Sequence, residues 1–247
     1  MSQEKVRDFF NQPGYLKNSS DRISIRADLV KSFLGMPRNM RILDIGCGDG
    51  SLSLPMLCES NRFTLVDISE NMIDKVRQRV PTLLKSNVTL INDSFELVSD
   101  DDRYDIVICV GVIAHVPDFD RLWQKIAIVL KPGGLLIVET TPNPYPLFKL
   151  LRPYYYFRQK LTKQVPSYAK NRLKVVDLMA KASAIGLAKK EHVRYSFPLP
   201  GMSHWSHSMK MRYTLFTLNN PLMSRLGSEH IFLFQRVSHE LAPPESA

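Results

Sequence analysis

Runs of consecutive apolar residues alternate with apolar stripes at helical spacing along this chain. Val6, Phe9 and Phe10 form a short stripe ahead of Pro13-Gly14. Ile23, Ala27, Val30 and Leu34 form a longer one closed by Gly35, so two N-terminal helices are predicted. The first apolar run, Met40–Ile45, reads as a strand. A helix is expected from about Ser51, with Pro55 near its first turn, where a fixed φ is tolerated. Arg62–Asp67 is the second strand, and Ser69 can cap a helix whose stripe is Met72, Ile73, Val76 and Val80. Val88–Asn92 and Tyr104–Val110 read as strands three and four. Asp118 can cap a helix carrying Leu122, Ile126, Val129 and Leu130. Lys131-Pro132-Gly133-Gly134 ends it in a turn before a fifth strand, Leu135–Thr140. A helix over Val175–Ile185 stops at Gly186, and two late strands are expected near Val193–Phe197 and Ile231–Val237. This alternation predicts an α/β fold, with a mostly parallel, doubly wound sheet covered by helices on both faces. Residues 141–172 and 200–228 break the alternation and read as insertions. The chain is therefore expected to form one domain over 1–247, with N-terminal helices at 1–39, a core at 40–140 and two capping insertions.

The chemistry concentrates where strands end. Ile42-Leu43-Asp44-Ile45-Gly46-Cys47-Gly48-Asp49-Gly50 runs from an apolar strand into alternating glycines. Glycine at that spacing marks a sharp turn with backbone close to a ligand. The dinucleotide fingerprint fails, because Ser51 stands where its third glycine belongs. Asp44, two residues before the first glycine, suits a cationic amine better than a pyrophosphate. Asp67 ends the next apolar run 21 residues after Gly46, the distance at which an α/β unit presents a carboxylate to ribose hydroxyls. The alternative reading is a glycine turn with two helix-capping acids.

Composition adds three constraints. No 18-residue apolar run occurs, so no spanning helix is expected. The first residues, Met1-Ser2-Gln3-Glu4-Lys5, have no apolar h-region, which favours a cytoplasmic location. Cys47, Cys58 and Cys109 lack metal-type spacing and read as reduced, non-catalytic thiols. The net charge of +9 is uneven: residues 1–139 hold 17 Lys/Arg and 19 Asp/Glu, whereas 140–247 hold 16 and 5. Such asymmetry points to an anionic substrate, a membrane surface or nucleic acid, or else to a solvated basic face.

Residues 42–50, with Asp67, Asn92-Asp93-Ser94-Phe95, Tyr104-Asp105-Ile106-Val107 and Leu130-Lys131-Pro132-Gly133-Gly134-Leu135, resemble the class I S-adenosylmethionine (SAM) methyltransferases. The motifs occur in family order across 42–140. The resemblance implies a seven-stranded Rossmann-like methyltransferase sheet with an antiparallel last strand at its edge, and SAM as cofactor. By that resemblance Gly46 and Gly48 let the aminoacyl part pass close to backbone, and Asp67 takes the ribose, with Ile68 and Met72 flanking adenine. Asp93 meets the adenine amine, Ser94 offers a backbone N–H, Phe95 forms an apolar wall and Gly111 lies near the sulfonium. SAM carries its own leaving group, so the protein mainly aligns two reactants and excludes water. A base is needed only if the acceptor must lose a proton.

His115, just past the fourth strand, is the base candidate; a structural histidine is the alternative. A narrower resemblance joins the chain to the ubiquinone-pathway O-methyltransferases. Arg26 stands where an arginine of that group meets the SAM carboxylate, and Ile113-Ala114-His115-Val116-Pro117-Asp118 is similar too. That group has acids where this chain has Gly111 and Ala114, so no metal is expected. The group's insertion after strand five binds membranes. Here 145–163 mixes aromatic residues with Lys and Arg, so it reads as a peripheral membrane contact or as a lid over the acceptor. Tyr154, Phe157, Trp205 and Met209 are expected to enclose a small apolar or aromatic acceptor, of natural-product or quinone type, with His115 and His207 at its polar end. His204 and His207 lack a third ligand, which argues against a metal there. Nucleic acid is not expected as a partner. The competing readings are an RNA-modifying methyltransferase that uses the basic half, and a SAM-binding protein without catalysis.

Overall fold

In this computed structural model the described residues are 3–11, 15–141, 173–197 and 201–237, with Pro153 and Leu199. Among them, β1 (Arg41–Ile45), β2 (Arg62–Val66), β3 (Val88–Ile91), β4 (Tyr104–Cys109), β5 (Leu130–Thr140), β6 (Leu187–Tyr195) and β7 (Glu229–Arg236) form one sheet, ordered β3-β2-β1-β4-β5-β7-β6. The first five strands are parallel, and β7 runs antiparallel to both β5 and β6. Among the described residues, α-helices α1 (Gln3–Phe10), α2 (Tyr15–Leu34), α3 (Glu70–Arg79), α4 (Phe119–Val129), α5 (Val175–Ala184) and α6 (His207–Asn219) accompany the sheet.

Two core layers follow from strand alternation. Leu43, Val107, Val138 and Phe232 point to one face, where Leu122 and Ile126 of α4 and Leu178 of α5 cover them. Ile42, Ile108, Ile137 and Ile231 point to the other, under Ile25 and Val30 of α2 and Ile73 and Val76 of α3. Ser69 caps α3 by accepting from the Met72 N–H, and Asp118 caps α4 by accepting from Arg121, as the sequence predicts.

Four expectations change. The helix from Ser51 is a single tight turn, Leu54–Met56. Buried Asn61 stops it: its amide donates to the carbonyls of Met56 and Pro37 at 3.0 and 2.8 Å, and its oxygen accepts from the Met40 N–H at 3.1 Å. Lys131-Pro132-Gly133-Gly134 is an irregular entry into β5, not a separate turn. The antiparallel last strand lies inside the sheet, and β6 is the edge, beginning at Leu187 instead of near Val193. Its exposed Lys189, Lys190 and Glu191 suit an edge that must not pair further. Residues 200–228 include α6, whose Thr214 and Thr217 are buried, and Met211 and Leu218 join the core layer under α2.

Candidate functional site

Parallel strands end together, and their carboxyl ends surround a cavity of about 230 Å³. The β1 turn forms its floor. Gly46, at φ +67°, donates to the Val66 carbonyl at 2.8 Å; a Cβ there would sit 2.5 Å from Val112 Cγ2, so only glycine fits. The Gly48 N–H donates to Asp67 Oδ2 at 2.8 Å, and Asp67 Oδ1 accepts from the Ser69 N–H at 2.9 Å. Asp67 thus ties the glycine turn to the start of α3 and still has lone pairs for a ligand hydroxyl. Burial raises its pKa, against the pull of these two N–H groups.

Asp44 is the most unusual group. It is 2% exposed, lines the cavity, and its Oδ2 has no hydrogen-bond partner. Burial, with the charge of Asp67 adding to it, raises the carboxyl to about 7. Ser53 offsets part of the rise, although its own buried hydroxyl makes no hydrogen bond of regular geometry. An orphan buried carboxylate oxygen beside a cavity is a site for a cation.

Arg26, from α2, reaches the same cavity. Its Nε and Nη2 lie 3.0 and 2.7 Å from the two oxygens of Glu139, at the end of β5. Nε also donates to the Tyr195 hydroxyl at 3.0 Å, and that hydroxyl donates in turn to Glu139. Glu229 stands 3.7 Å from Nη2. Burial opposes the guanidinium charge, but Glu139, Tyr195 and Glu229 together hold its pKa well above the ordinary value. Burial pushes Glu139 up, and Arg26 pulls it back.

Every residue expected to touch the cofactor lines this one cavity: Arg26, Asp44, Gly46, Gly48, Asp67, Ile68, Met72, Asp93, Ser94, Phe95 and Gly111. His115 lines it too. One detail differs, because the Ser94 N–H is not open to a ligand but donates to Asp93 Oδ1 at 2.6 Å.

Trp205, His207 and Met209 are not brought to this cavity. His207 pairs with Asp21, Trp205 packs edge-on against Tyr213, and Met209 is 52% exposed. These three therefore stand apart from the residues expected to hold the cofactor: α6 packs Met211 and Leu218 on the core beside α2, which leaves Met209 turned to solvent. Tyr154, Phe157 and the aromatic-basic stretch 145–163 lie outside the described residues, Pro153 excepted. Among the described residues no group of three or more His, Cys, Asp or Glu could hold a metal ion, and no helix is long and apolar enough to cross a membrane.

Four contributors were not expected from the sequence. Val6 and Phe10 of α1 line the cavity. Glu139 and Tyr195 hold Arg26. The signal for Glu139 was available: it is an acid at the carboxyl end of a buried strand, as Asp44 and Asp67 are.

A model of the methyltransferase domain matches residues 37–197. The chain belongs to this methyltransferase family. Among curated relatives, the ubiquinone biosynthesis O-methyltransferase of Coxiella burnetii (strain Dugway 5J108-111) is 29% identical over 135 residues, 55% of this chain and 57% of that protein. The demethylmenaquinone methyltransferase of Shouchella clausii is 30% identical over 140 residues, 55% and 59% of the two chains. The chain thus spans little more than half the length of the curated relatives it matches. Among solved structures, magnesium protoporphyrin IX methyltransferase from Synechocystis PCC 6803, with bound S-adenosylhomocysteine, superimposes with a TM-score of 0.61 at 18% identity, covering 94% and 97% of the chains. The [4+2]-cyclase SpnF superimposes at 0.55 with 17% identity, covering 88% and 82%. Likeness at that level establishes the fold; the site must decide the activity of this methyltransferase domain.

Proposed function

We propose that this domain binds SAM in the cavity at the ends of β1 to β4 and transfers its methyl group to an oxygen or nitrogen atom of a small apolar or aromatic acceptor. The observation that carries the reading is Asp44: a buried carboxylate oxygen without a partner faces a glycine turn, where the cofactor's ammonium would satisfy it. Arg26 then receives the carboxylate and Asp67 the ribose hydroxyls, while Asp93, Ile68, Met72 and Phe95 hold the adenine. Gly111 gives the sulfonium room, and His115 stands where an acceptor proton would leave. The quinone-pathway names of the relatives favour a quinone-type ring as acceptor.

Transfer by in-line displacement needs alignment and a dry site more than acid–base help. Val6, Phe10, Leu16 and Ile23 provide an apolar wall opposite the strand ends. Calorimetry with SAM, S-adenosylhomocysteine and NAD tests the first half: saturable binding of the first two and none of NAD is expected, and the reverse would end the reading. Labelled SAM with a panel of phenols, quinols and amines tests the second. Tight cofactor binding with no transfer to any of them, or to solvent-extractable lipid, would make this a SAM-binding protein instead.

A further inference from the structure

Arg26 uses only part of its guanidinium to bind the protein. Nε and Nη2 are engaged by Glu139 as a two-point pair, with Tyr195 on Nε and Glu229 beyond Nη2. Nη1 makes none of these contacts; a Cβ built on Gly111 would lie 3.3 Å from it and 3.7 Å from Glu139 Oε2. Gly111 and Arg26 both line the cavity at the end of β4, so Nη1 is the guanidinium nitrogen left to meet a ligand there.

The three groups behind Arg26 come from three different strand ends that the sheet register forces together. Tyr195 of β6 stands directly opposite Glu229 of β7, and Glu139 of β5 stands opposite Ile231, two residues further along β7. All three therefore point to the face under α2, which carries Arg26. A long, mobile arginine would lose rotamer freedom each time it met a ligand. A fixed carboxylate fork removes that loss beforehand and fixes the plane of the guanidinium.

We infer that Glu139, braced by Tyr195 and Glu229, is a positioning residue that aims Arg26 Nη1 at the carboxylate of the bound cofactor. The inference rests on the proposed use of SAM and extends it. The strands beyond the nucleotide site, β5, β6 and β7, then serve cofactor recognition without touching the cofactor. Asp44 meets the ammonium directly, whereas Glu139 works through Arg26 on the carboxylate.

The test compares SAM with decarboxylated SAM, which lacks only that carboxylate. In the parent chain SAM should bind more tightly, and the ratio of the two affinities measures the carboxylate contact. Arg26→Ala should abolish the ratio. Glu139→Gln should reduce it about fivefold or more, because one charge-assisted bond and the ionic partner are lost. Tyr195→Phe, which removes a single hydroxyl, should reduce it less and serves if Glu139→Gln does not fold. A ratio unchanged in both Glu139→Gln and Tyr195→Phe, while Arg26→Ala abolishes it, overturns the positioning role and leaves the cofactor reading standing. Equal weakening of both ligands in Glu139→Gln assigns the cluster to structure alone and overturns it too. A ratio that survives Arg26→Ala removes Arg26 from the carboxylate, a separate failure.

Discussion

The Phe10 ring meets the His115 imidazole edge-on, with centroids 5.1 Å apart and planes at 85°. This contact brings the N-terminal helix onto the loop after β4, where Val6, Phe10 and His115 line the same cavity. Asn11, at the end of α1, adds polar ties. Its side-chain oxygen accepts from Ser69 Oγ at 2.6 Å, and its carbonyl accepts from Asn71 at 3.2 Å. Helix α1 is thereby joined to Ser69, the N-cap of α3, whose backbone N–H also donates to Asp67.

Phe10→Ala should therefore speed cofactor release. An edge-on aromatic pair contributes about 0.5–1.5 kcal/mol beyond its buried area, so a two- to tenfold faster dissociation of S-adenosylhomocysteine is expected. Stopped-flow displacement measures it. An unchanged rate would mean that α1 does not gate the cavity.

Asp44 gives the site a pH signature. Its folded-state pKa of about 7 lies above that of an unfolded aspartate, so the folded chain keeps a proton that the unfolded chain has lost. The stability it contributes is complete below about pH 4 and is lost as pH rises through about 7. Asp44→Asn, neutral at every pH, should gain thermal stability over the parent as pH goes from about 5 to 8 without ligand. Cofactor binding should move the other way: the parent should bind SAM more tightly at the higher pH, because an ammonium favours the ionised carboxyl, and the variant should bind weakly throughout. Melting curves that shift in parallel for both proteins would show that the buried charge does not set this pH dependence.

What the sequence showed and what it hid have physical causes. The β1 run and its glycines were legible because a central parallel strand is buried on both faces, which leaves one continuous apolar stretch running into a turn. Asp67 was legible by its spacing from Gly46. The start of β6 was not, since an edge strand carrying Lys189, Lys190 and Glu191 looks like any solvated segment. Pro55 allowed a helix that Asn61, through hydrogen bonds to Pro37 and Met40, forbids. Phe10 reads as one member of an amphipathic stripe; only the docking of α1, 105 positions away from His115 in the chain, makes it part of the site.

Asp67→Ala should cost both binding and stability. The change leaves the N–H groups of Gly48 and Ser69 without their acceptor, and an orphaned buried donor costs about 1–3 kcal/mol. Denaturant unfolding should register that loss in the absence of ligand, and calorimetry should show weaker binding of both SAM and S-adenosylhomocysteine. Affinity equal to that of the parent chain would take Asp67 out of the cofactor site.

His115 divides a chemical role from a packing role. Its backbone N–H donates to the Val112 carbonyl at 2.8 Å, which closes the turn after Gly111 that carries the imidazole. If the imidazole takes the acceptor's proton, His115→Ala should lower turnover about 10²- to 10⁴-fold with little change in the acceptor's Michaelis constant. The Phe10→Ala variant controls for packing, because it loses the same ring contact and keeps the imidazole. Turnover that falls equally in the two variants would assign His115 to the closure of α1. Full turnover in His115→Ala across about pH 6 to 9 would show that alignment of the two reactants is sufficient for transfer. Loss confined to His115→Ala is the outcome expected of a base.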